Sequence, residues 1–482
     1  MTKVQTSKPS RTSVLAFRQG LAELAAVTGM PLDTDRIRFG ARAVSLDTPF
    51  RAAEAAAAAL GAGAAIAGSL AERAGGRPDT FTLDSRHAEA SLLSFAYLRF
   101  LDPVRGLGPR VPGEDRTAAA GFYPTRDDRW IYLHSGFPHN TRGLLALLGV
   151  EDDRKAVGRA IRRRRAAELE DAIAAAGLCG ARVRSAGEWD ESVPGRLLGS
   201  RPVVEIVQVG DSDPEPVPGT ATRPLAGTRV LDLTRILAGP TCARTLAAYG
   251  ADVLRVGGEH LPSIPLFVVD TGFGKRASHL DLRSSSDASL LKRLIRQADV
   301  FSQGYRSGAM ERLGFGVTDV ATMRPGIVYV SINCYGHEGA WRPRPGWEQL
   351  AQTVTGMAVT QGEHLNQSGP TLLPAAVNDY TTGYLAAVGA LAALSLRAER
   401  GGSYWVRVSL ARTAMWVRSL GTHPTVRPKP LSAREVNACS AEIDSAWGPL
   451  GYLRPAVSAG NLDIRWDRPP SPLGADRPAF IG

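Results

Sequence analysis

The 482-residue chain has few cysteines and few lysines, and it lacks the short motifs that mark several common chemistries. Its four cysteines are far apart and show no CxxC spacing, which argues against a disulfide framework or a zinc knuckle and fits a reduced cytoplasm. The sequence contains no GxxxxGK[ST] phosphate loop, no GxSxG nucleophile turn and no HExxH zinc motif. Its histidines are scattered, so we predict no metal site.

Long hydrophobic runs are also scarce. The longest uncharged apolar stretch covers residues 55–71, is dominated by alanine and glycine, and lies between Glu54 and Glu72. A membrane-spanning helix needs about 20 strongly apolar residues, so this stretch predicts a buried helix. The first residues contain no continuous apolar segment of the kind found in signal peptides. We therefore expect a cytoplasmic protein with no membrane partner.

The composition is that of a globular protein, with 44% hydrophobic and 22% charged residues. This excludes a mostly disordered or collagen-like chain. The formal net charge is +10, and almost all the basic residues are arginine. Because an Arg/Ala/Gly-rich composition can follow from nucleotide usage, this charge supports a nucleic-acid partner only weakly, and we expect none.

The pattern along the chain predicts an α/β protein. Residues 209–226 carry four prolines and several acids, which indicates a linker. After it, apolar runs alternate with helical segments of 10–12 residues, at 228–234, 251–256, 298–303 and 326–333. This alternation is typical of βαβ units. The sequence thus predicts a Rossmann-like, doubly wound parallel sheet core with a smaller α+β domain.

These signals divide the chain, whose length alone predicts about two to four domains, into consecutive parts. The parts are an N-terminal arm (1–40), an N-terminal part that includes the smaller domain (41–208), the Pro-rich linker (209–226), the core (227–422) and an extended C-terminal tail (423–482). A weak repeat relates residues 69–83 to 395–410. A duplication and a chance likeness between Ala-rich helices are both open at this point.

Asp379 is the first candidate for chemistry, because it stands between an apolar run and a long helix predicted from Tyr380 to Glu399. One interpretation is a helix N-cap, which is worth about 1 kcal/mol. The other uses the same position: backbone N–H groups and the helix dipole would keep the carboxylate ionised, and an ionised carboxylate can act as a nucleophile.

Further candidates are cations and one acid. Lys275 and Arg276 follow a glycine-rich turn that could bind an anion, or they could belong to a solvated turn. Arg306 and Arg312 follow a predicted strand, where an α/β sheet presents its carboxyl edge to ligands, although surface arginines are common in this chain. Glu348 lies on an amphipathic segment, where an isolated glutamate is usually solvated.

Taken in order, six segments of the second part resemble the class III CoA-transferase family, which includes formyl-CoA and carnitine CoA-transferases and the α-methylacyl-CoA racemases. Together they cover about 200 residues, and their order is more specific than any one of them. The segments are PLAGTRVLDLTRILAGPTCARTLAAYGADVLRV (224–256), GKRASHLDLRS (274–284), ADVFSQGYRSGAMERLGFG (298–316), RPGIVYVSINCYGHEGAW (324–341), RPGWEQLAQTVTGMA (344–358) and VNDYTTGYLAAVGALAAL (377–394).

The resemblance implies a CoA-transferase that moves CoA from an acyl-CoA to a carboxylic acid through an aspartyl-CoA thioester. Asp379 matches the family's nucleophile, and Glu348 matches an acidic position beside it. CoA and acyl-CoA would be substrates, and no permanently bound cofactor is implied. The implied CoA-binding residues are Arg235, Lys275, Arg276, Tyr305, Arg306 and Arg312. Because family members form interlocked dimers, we also expect a homodimer.

Some features depart from the family pattern. Residues 115–208 resemble the family's small domain but precede the catalytic half, so the chain looks permuted or like two fused halves. Trp347 stands where racemases have a catalytic histidine, and Leu237 stands where transferases commonly have glutamine. An acidic residue after the second strand is replaced by Gly257 and Gly258. A non-catalytic CoA-binding homologue and an acyl-CoA isomerase or racemase therefore stay open as alternatives.

Overall fold

The computed structural model describes residues 11–29, 32–102 and 117–481. The helices are α1 (Arg11–Thr28), α2 (Ala52–Arg73), α3 (Ser85–Ser91), α4 (Pro138–Leu148), α5 (Arg154–Ile161), α6 (Ala166–Ala175), α7 (Ala186–Asp190), α8 (Val193–Gly199), α9 (Ala238–Ala248), α10 (Pro265–Gly272), α11 (Ser285–Ile295), α12 (Ala309–Arg312), α13 (Val317–Met323), α14 (Glu348–Val354), α15 (Met357–His364), α16 (Val377–Arg400), α17 (Leu410–Ser419) and α18 (Ala433–Cys439).

The strands are β1 (Ile37–Gly40), β2 (Phe81–Asp84), β3 (Arg99–Phe100), β4 (Gly121–Pro124), β5 (Trp130–Leu133), β6 (Gly180–Arg182), β7 (Glu205–Gly210), β8 (Arg229–Leu233), β9 (Asp252–Gly257), β10 (Lys275–His279), β11 (Val300–Gln303), β12 (Val328–Asn333), β13 (Ser403–Ser409), β14 (Ser440–Ser445), β15 (Gly448–Leu453) and β16 (Ser458–Ala459).

A seven-stranded sheet in the order β10-β9-β8-β11-β12-β13-β7 forms the centre of the protein. Its neighbouring strands run parallel, except that β7 is antiparallel to β13 at one edge. The chain builds outward from β8 in one direction and from β11 in the other, which is the doubly wound arrangement predicted from the sequence. Ligands of such sheets bind in the crevice outside the carboxyl ends of the strands where the direction changes, here β8 and β11.

Burial explains why the central strands could be recognised. Five of the six residues of β12 are buried, because helices cover both faces of the sheet. The edge strand β10 is different, since its sequence KRASH is mostly polar and lies where we predicted only a glycine-rich turn. Pairing with β9 on one side and with the C-terminal tail on the other makes this segment a strand.

Two small-residue helices, α2 and α16, pack against each other next to the sheet, and α16 also packs against α9. Glycines allow these approaches. A Cβ atom on Gly383 of α16 would lie 2.5 Å from the carbonyl oxygen of Ala238, and one on Gly389 would lie 2.4 Å from Val406. Because α16 carries Asp379 in its first turn, these contacts also fix the position of that carboxylate.

Substituting alanine for Gly383 should destabilise the protein by about 1–3 kcal/mol, because the new methyl group would force α16 away from α9. The matched control is Gly63→Ala in α2, whose Cβ would meet ordinary contacts at 3.7 Å. That variant should gain about 0.5–1 kcal/mol from helix propensity. Urea unfolding of both variants tests the contrast, and equal free energies of unfolding would contradict it.

Residues 117–182 form a smaller α+β unit within the segment 115–208 that resembles the family's small domain. Strands β4, β5 and β6 make an antiparallel sheet. Helices α4, α5 and α6 cover it around a separate apolar core that includes Tyr123, Ile131 and Leu144. The two residues that begin the predicted small-domain segment, 115 and 116, lie outside the described residues.

The two ends of the chain differ from the predicted arm and extended tail. Residues 11–28 of the predicted arm form α1, which buries Phe17, Leu21 and Leu24 against the core. Further along, β1 pairs with β2. These residues are therefore packed into the fold and do not form an arm. Residues 1–10, 30 and 31 lie outside the described residues. The tail contains α18 and the β14–β15 hairpin, and only its last part is extended. That part runs along β10, where the N–H of Ala277 donates to Asp476 at 2.8 Å.

The predicted linker is held against the core along its length. Its first residues belong to β7, and the N–H of Gly402 donates to the carbonyl of Ser212. Glu215 forms an ion pair with Arg324 at 2.6 Å. Among the described residues, one helix, α2, is long and apolar enough to cross a membrane, but 94% of its most apolar window is buried inside the protein.

Candidate active site

Two buried carboxylates meet where α16 begins. Glu348 is the first residue of α14, and its side chain is turned to the N-terminus of α16. Its carboxylate accepts hydrogen bonds from the backbone N–H of Asp379 at 2.5 Å and of Asn378 at 3.1 Å. It also accepts from the side-chain amides of Asn378, at 3.1 Å, and of Gln352, at 2.7 Å. Glu348, at 4% exposure, is therefore a buried cap of this helix and not a solvated residue.

Asp379 does not have the N-cap position that one interpretation gave it. The N-cap residue is Ala376, and Asp379 is the third residue of the helix, with 9% exposure. The donors expected to keep Asp379 ionised bind Glu348 instead. Within the described part of the chain, no hydrogen bond reaches the Asp379 carboxylate. Its lone pairs are consequently free for another reaction partner.

The environment raises the pKa of both acids. Burial raises the pKa of Glu348 to about 7, against the lowering effect of its four donors. Burial raises the pKa of Asp379 well above its ordinary value, and the negative charge of Glu348 raises it further. Two carboxylates so close together titrate as a pair. The four donors stabilise the charged form of Glu348, and that charge in turn raises the pKa of Asp379.

Four of the predicted CoA-binding residues lie along the carboxyl edge of the sheet. Arg235 lies two residues after the end of β8, and Tyr305 and Arg306 lie two and three residues after the end of β11, so three of them flank the switch point. Arg312 ends α12 nearby and is exposed. Ile236, next to Arg235, has a φ of 74°, which is rare for a β-branched residue and marks backbone strain at this turn.

Lys275 and Arg276, two further predicted CoA-binding residues, have structural partners in the fold. The ammonium group of Lys275 donates to Asp232 and to the carbonyl of Pro240, both at 2.7 Å, and its side chain is 2% exposed. Arg276 forms a two-point ion pair with Asp252 at 2.8 and 3.0 Å and donates to the tail carbonyl of Ala479. The glycine-rich turn pattern suggested an anion site, whereas in the structure the ion pairs of Lys275 and Arg276 stabilise strand β10.

Cavities adjoin the residues after β8 and β11. An apolar pocket of about 160 Å³ lies beside Tyr305 and is bordered by Leu261, Leu280, Met310 and Leu313. Two smaller cavities meet at Arg235 and Arg255. The glycines that replace the family's acidic residue, Gly257 and Gly258, line the wall of the apolar pocket.

The smaller domain contacts the candidate site, which the sequence did not indicate. Trp347, the residue before Glu348, stacks on His134 with ring centroids 5.1 Å apart and an interplanar angle of 11°. Its indole N–H donates to the sulfur of Cys179 at 3.3 Å, and Phe137 lies 5.5 Å away. Burial lowers the pKa of His134 to about 4. These residues are far apart in the sequence and form no motif, so no local signal could have identified them.

A second buried network holds the first turn of α16 from the other side. The hydroxyl of Tyr380 donates to Asp270 at 2.8 Å, and that of Ser94 donates to the same carboxylate at 2.9 Å. Arg244 forms an ion pair with Asp270 at 3.1 Å. Ser94 comes from the N-terminal part, so both halves of the chain fix the residue that follows Asp379. No group of three or more potential metal ligands occurs in residues 11–29, 32–102 and 117–481.

Comparison with known proteins gives consistent similarities. Residues 225–446 match the model of a family described as CoA-transferase family III. The chain is 33% identical over 423 residues to the acetyl-coenzyme A transferase nodX of Hypoxylon pulicicidum, covering 79% of this chain and 71% of that protein. It is 35% identical over 337 residues to an acyl-CoA transferase of Gibberella moniliformis, covering 63% of this chain and 58% of that protein.

Other similar proteins match a shorter part of the chain. A succinyl-CoA–L-malate CoA-transferase β subunit of Chloroflexus aurantiacus is 33% identical over 205 residues, covering 40% of this chain and 50% of that protein. Among solved structures, the hypothetical protein Rv3272 of Mycobacterium tuberculosis is 29% identical, with a TM-score of 0.38, covering 41% of this chain and 58% of that one. The chain thus spans between half and about seven tenths of these curated relatives.

Proposed function

The chain belongs to CoA-transferase family III, and from this premise we propose that it moves CoA from an acyl-CoA donor to a small carboxylic acid through an aspartyl-CoA thioester on Asp379. The observation that carries the proposal is the pairing of a buried Asp379, free of hydrogen bonds among the described residues, with a Glu348 that occupies the helix donors. This arrangement leaves the oxygens of Asp379 without donors that would compete with an acyl carbonyl for their lone pairs.

The proposed reaction proceeds through alternating anhydrides and thioesters. The Asp379 carboxylate attacks the thioester carbonyl of the donor and expels CoA thiolate, giving a mixed anhydride. The thiolate then attacks the aspartyl carbonyl, which releases the donor carboxylate and forms aspartyl-CoA. The acceptor carboxylate attacks that thioester and again expels the thiolate, giving a second mixed anhydride. The thiolate then attacks the acceptor carbonyl of this anhydride, which forms the new acyl-CoA and restores the Asp379 carboxylate. Each exchange is divided into two easier steps.

The same reaction explains which other components are needed. Because the thioester's free energy is retained at each step, we propose that the enzyme requires no permanently bound cofactor. Arg235, Tyr305, Arg306 and Arg312 are proposed to bind CoA, since arginine suits phosphate groups and the switch-point crevice suits nucleotides. The apolar pocket beside Tyr305 is proposed to accept the adenine ring.

An exchange assay tests the proposed function. The purified chain is incubated with short-chain acyl-CoA donors, such as acetyl-CoA and succinyl-CoA, and a panel of isotopically labelled carboxylates. Mass spectrometry should detect labelled acyl-CoA at the expense of the donor. Binding of CoA without exchange for any pair would favour the non-catalytic homologue. If a donor deuterated at the α-carbon loses its deuteron while no CoA is exchanged, an isomerase or racemase is favoured.

We also propose a homodimer located in the cytoplasm, on the basis of the family resemblance and the cysteine pattern. Light scattering at micromolar concentration should give twice the chain mass of 51.2 kDa. A mass near that of one chain would contradict the homodimer. Fractionation of cells that express the tagged protein tests the location.

A further inference from the structure

The turn between β8 and α9, residues 234–237, has an unusual backbone and carries Arg235, which is proposed to bind CoA. Ile236 has a φ of 74°, in the left-handed region that a β-branched residue rarely adopts. Leu237 is the N-cap of α9 and offers the helix no side-chain hydrogen bond. A backbone of this kind persists only where the surrounding structure holds it in place.

A network of buried polar groups joins the two ends of this turn. Asp232, in β8, accepts hydrogen bonds from the backbone N–H of Thr234 at 3.1 Å and from the hydroxyl of the same residue. The other carboxylate oxygen of Asp232 accepts from the ammonium group of Lys275 at 2.7 Å. That ammonium group also donates to the carbonyl of Pro240, in the first turn of α9, at 2.7 Å. Lys275 therefore ties β8 to the start of α9, on either side of the turn.

Lys275 reaches this network from another strand. It is the first residue of β10, and β9 lies between β10 and β8 in the sheet. Its side chain is 2% exposed, and that of Asp232 is fully buried. A buried ion pair adds little stability compared with well-packed neutral groups of the same volume. Neutral groups, however, would not hold a carboxylate of β8 and a carbonyl of α9 around one charge.

The turn that this network holds forms part of the crevice. A Cβ atom on Gly239 would lie 2.3 Å from the Cβ of Thr234, so the two ends of the turn are in close contact. Arg235, Ile236 and Pro240 border the same small cavity. A change in the backbone of the turn would consequently move both the guanidinium group of Arg235 and the wall beside it.

We propose that Lys275 is a positioning residue for the reaction: through Asp232 and Pro240 it holds the β8–α9 turn in the conformation that presents Arg235 to the crevice. This inference rests on the proposed function, in which Arg235 binds CoA. Lys275 acts through the turn and not by contact with the ligand, because its ammonium group is buried and has two partners within the protein.

Two ion pairs of β10 allow a matched comparison. The test variant combines Lys275→Met with Asp232→Asn, which removes the pair, retains similar side-chain sizes and leaves neither charge buried alone. The control, Asp252→Asn, breaks the other pair of this strand, in which Asp252 binds Arg276 at 2.8 Å. Circular dichroism and melting temperatures check the fold. Calorimetric titration with CoA measures affinity, and the exchange assay measures kcat and the KM for the acyl-CoA donor.

The double variant should melt within about 5 °C of the wild type, because neutral replacement of a buried pair changes stability little. It should bind CoA about 10-fold more weakly, with a similar rise in the KM, as expected when a charge-assisted contact is misaligned. The kcat should change by less than about 3-fold, since Asp379 and Glu348 are held by other contacts. Asp252→Asn should match the wild type in affinity, KM and kcat.

Thr234→Val is a second test that leaves the ion pair intact. It removes the hydroxyl that donates to Asp232, and it should weaken CoA binding about 3-fold. This variant decides the outcome if the double variant does not fold.

Unchanged CoA affinity in the folded double variant, or in Thr234→Val if the double variant does not fold, would overturn the positioning role and leave the proposed function intact. Equal losses of affinity in the double variant and in Asp252→Asn would also overturn it, because both pairs would then only stabilise β10. A wild-type protein that binds CoA but exchanges none would contradict the proposed function, while calorimetry would still decide the role of Lys275. Failure of the wild type to bind CoA at all would overturn both.

Discussion

Replacing Asp379 with alanine should lower the rate of CoA exchange by at least about 10³-fold, because the reaction then has no nucleophile to form the anhydride. Asp379→Asn should be equally inactive, although it keeps the size of the side chain. Initial rates of exchange with saturating donor and acceptor measure this effect. Exchange at more than a tenth of the wild-type rate in either variant would contradict the assigned role.

The same asparagine variant should gain thermal stability, which separates loss of chemistry from loss of fold. The pKa of Asp379 is raised in the folded protein, so the folded state binds more protons than the unfolded state above the ordinary aspartate pKa. The wild type therefore loses stability as the pH rises above about 4, the ordinary value. Asp379→Asn does not undergo this loss, so its advantage should be larger at pH 8 than at pH 5, as melting temperatures at the two values would show.

Replacing Glu348 with glutamine should lower exchange by about 10²-fold, as expected when a reacting group is displaced by a fraction of an ångström to an ångström. Glutamine keeps the size and one acceptor oxygen. Its amide nitrogen, however, would face the N–H of Asp379, which now donates to Glu348 at 2.5 Å. One buried donor would lose its partner, which costs about 1–3 kcal/mol of stability. Glu363→Gln, at an exposed position of α15, is the matched control.

The pH dependence gives Glu348→Gln a more specific outcome than a lower rate. Asp379 must be deprotonated to attack, so the exchange rate should rise as the pH rises through its pKa. The charge on Glu348 is one cause of the raised pKa of Asp379. Without that charge the pKa falls, and the rising limb of the pH–rate profile should move to lower pH. A limb that does not move would indicate that Glu348 only stabilises the fold.

The sheet could be predicted because its strands are defined locally. Runs such as 326–333 are apolar on both faces, and β12 occupies most of that range. The edge strand β10 could not be predicted in this way. Lys275 and Arg276 are held in a strand by their contacts with Asp232 and Asp252 and by the tail that runs along β10. The same limit applied to residues 1–40, where α1 gains its stability by packing on α2, a contact that no local pattern reveals.

The candidate site shows a similar division. The topological rule directed attention to the residues after β8 and β11, and these two strands are neighbours in the sheet, so Arg235 and Tyr305 follow adjacent strands. Position before a long helix also made Asp379 a candidate, but the capping role belongs to Glu348, 31 residues away in the chain. The contributions of Phe137, His134 and Ser94 depend on the packing of the N-terminal half against the core, so they became visible only in the folded chain.

Trapping of the covalent intermediate tests the central claim most directly. The protein is incubated with acyl-CoA donors, hydroxylamine is added, and the modified peptide is mapped by mass spectrometry, with Asp379→Ala treated in parallel. We expect a hydroxamate on the peptide that contains Asp379 with at least one donor, and none in the variant. A hydroxamate at another carboxylate, or exchange activity with no adduct at Asp379, would contradict the proposed mechanism.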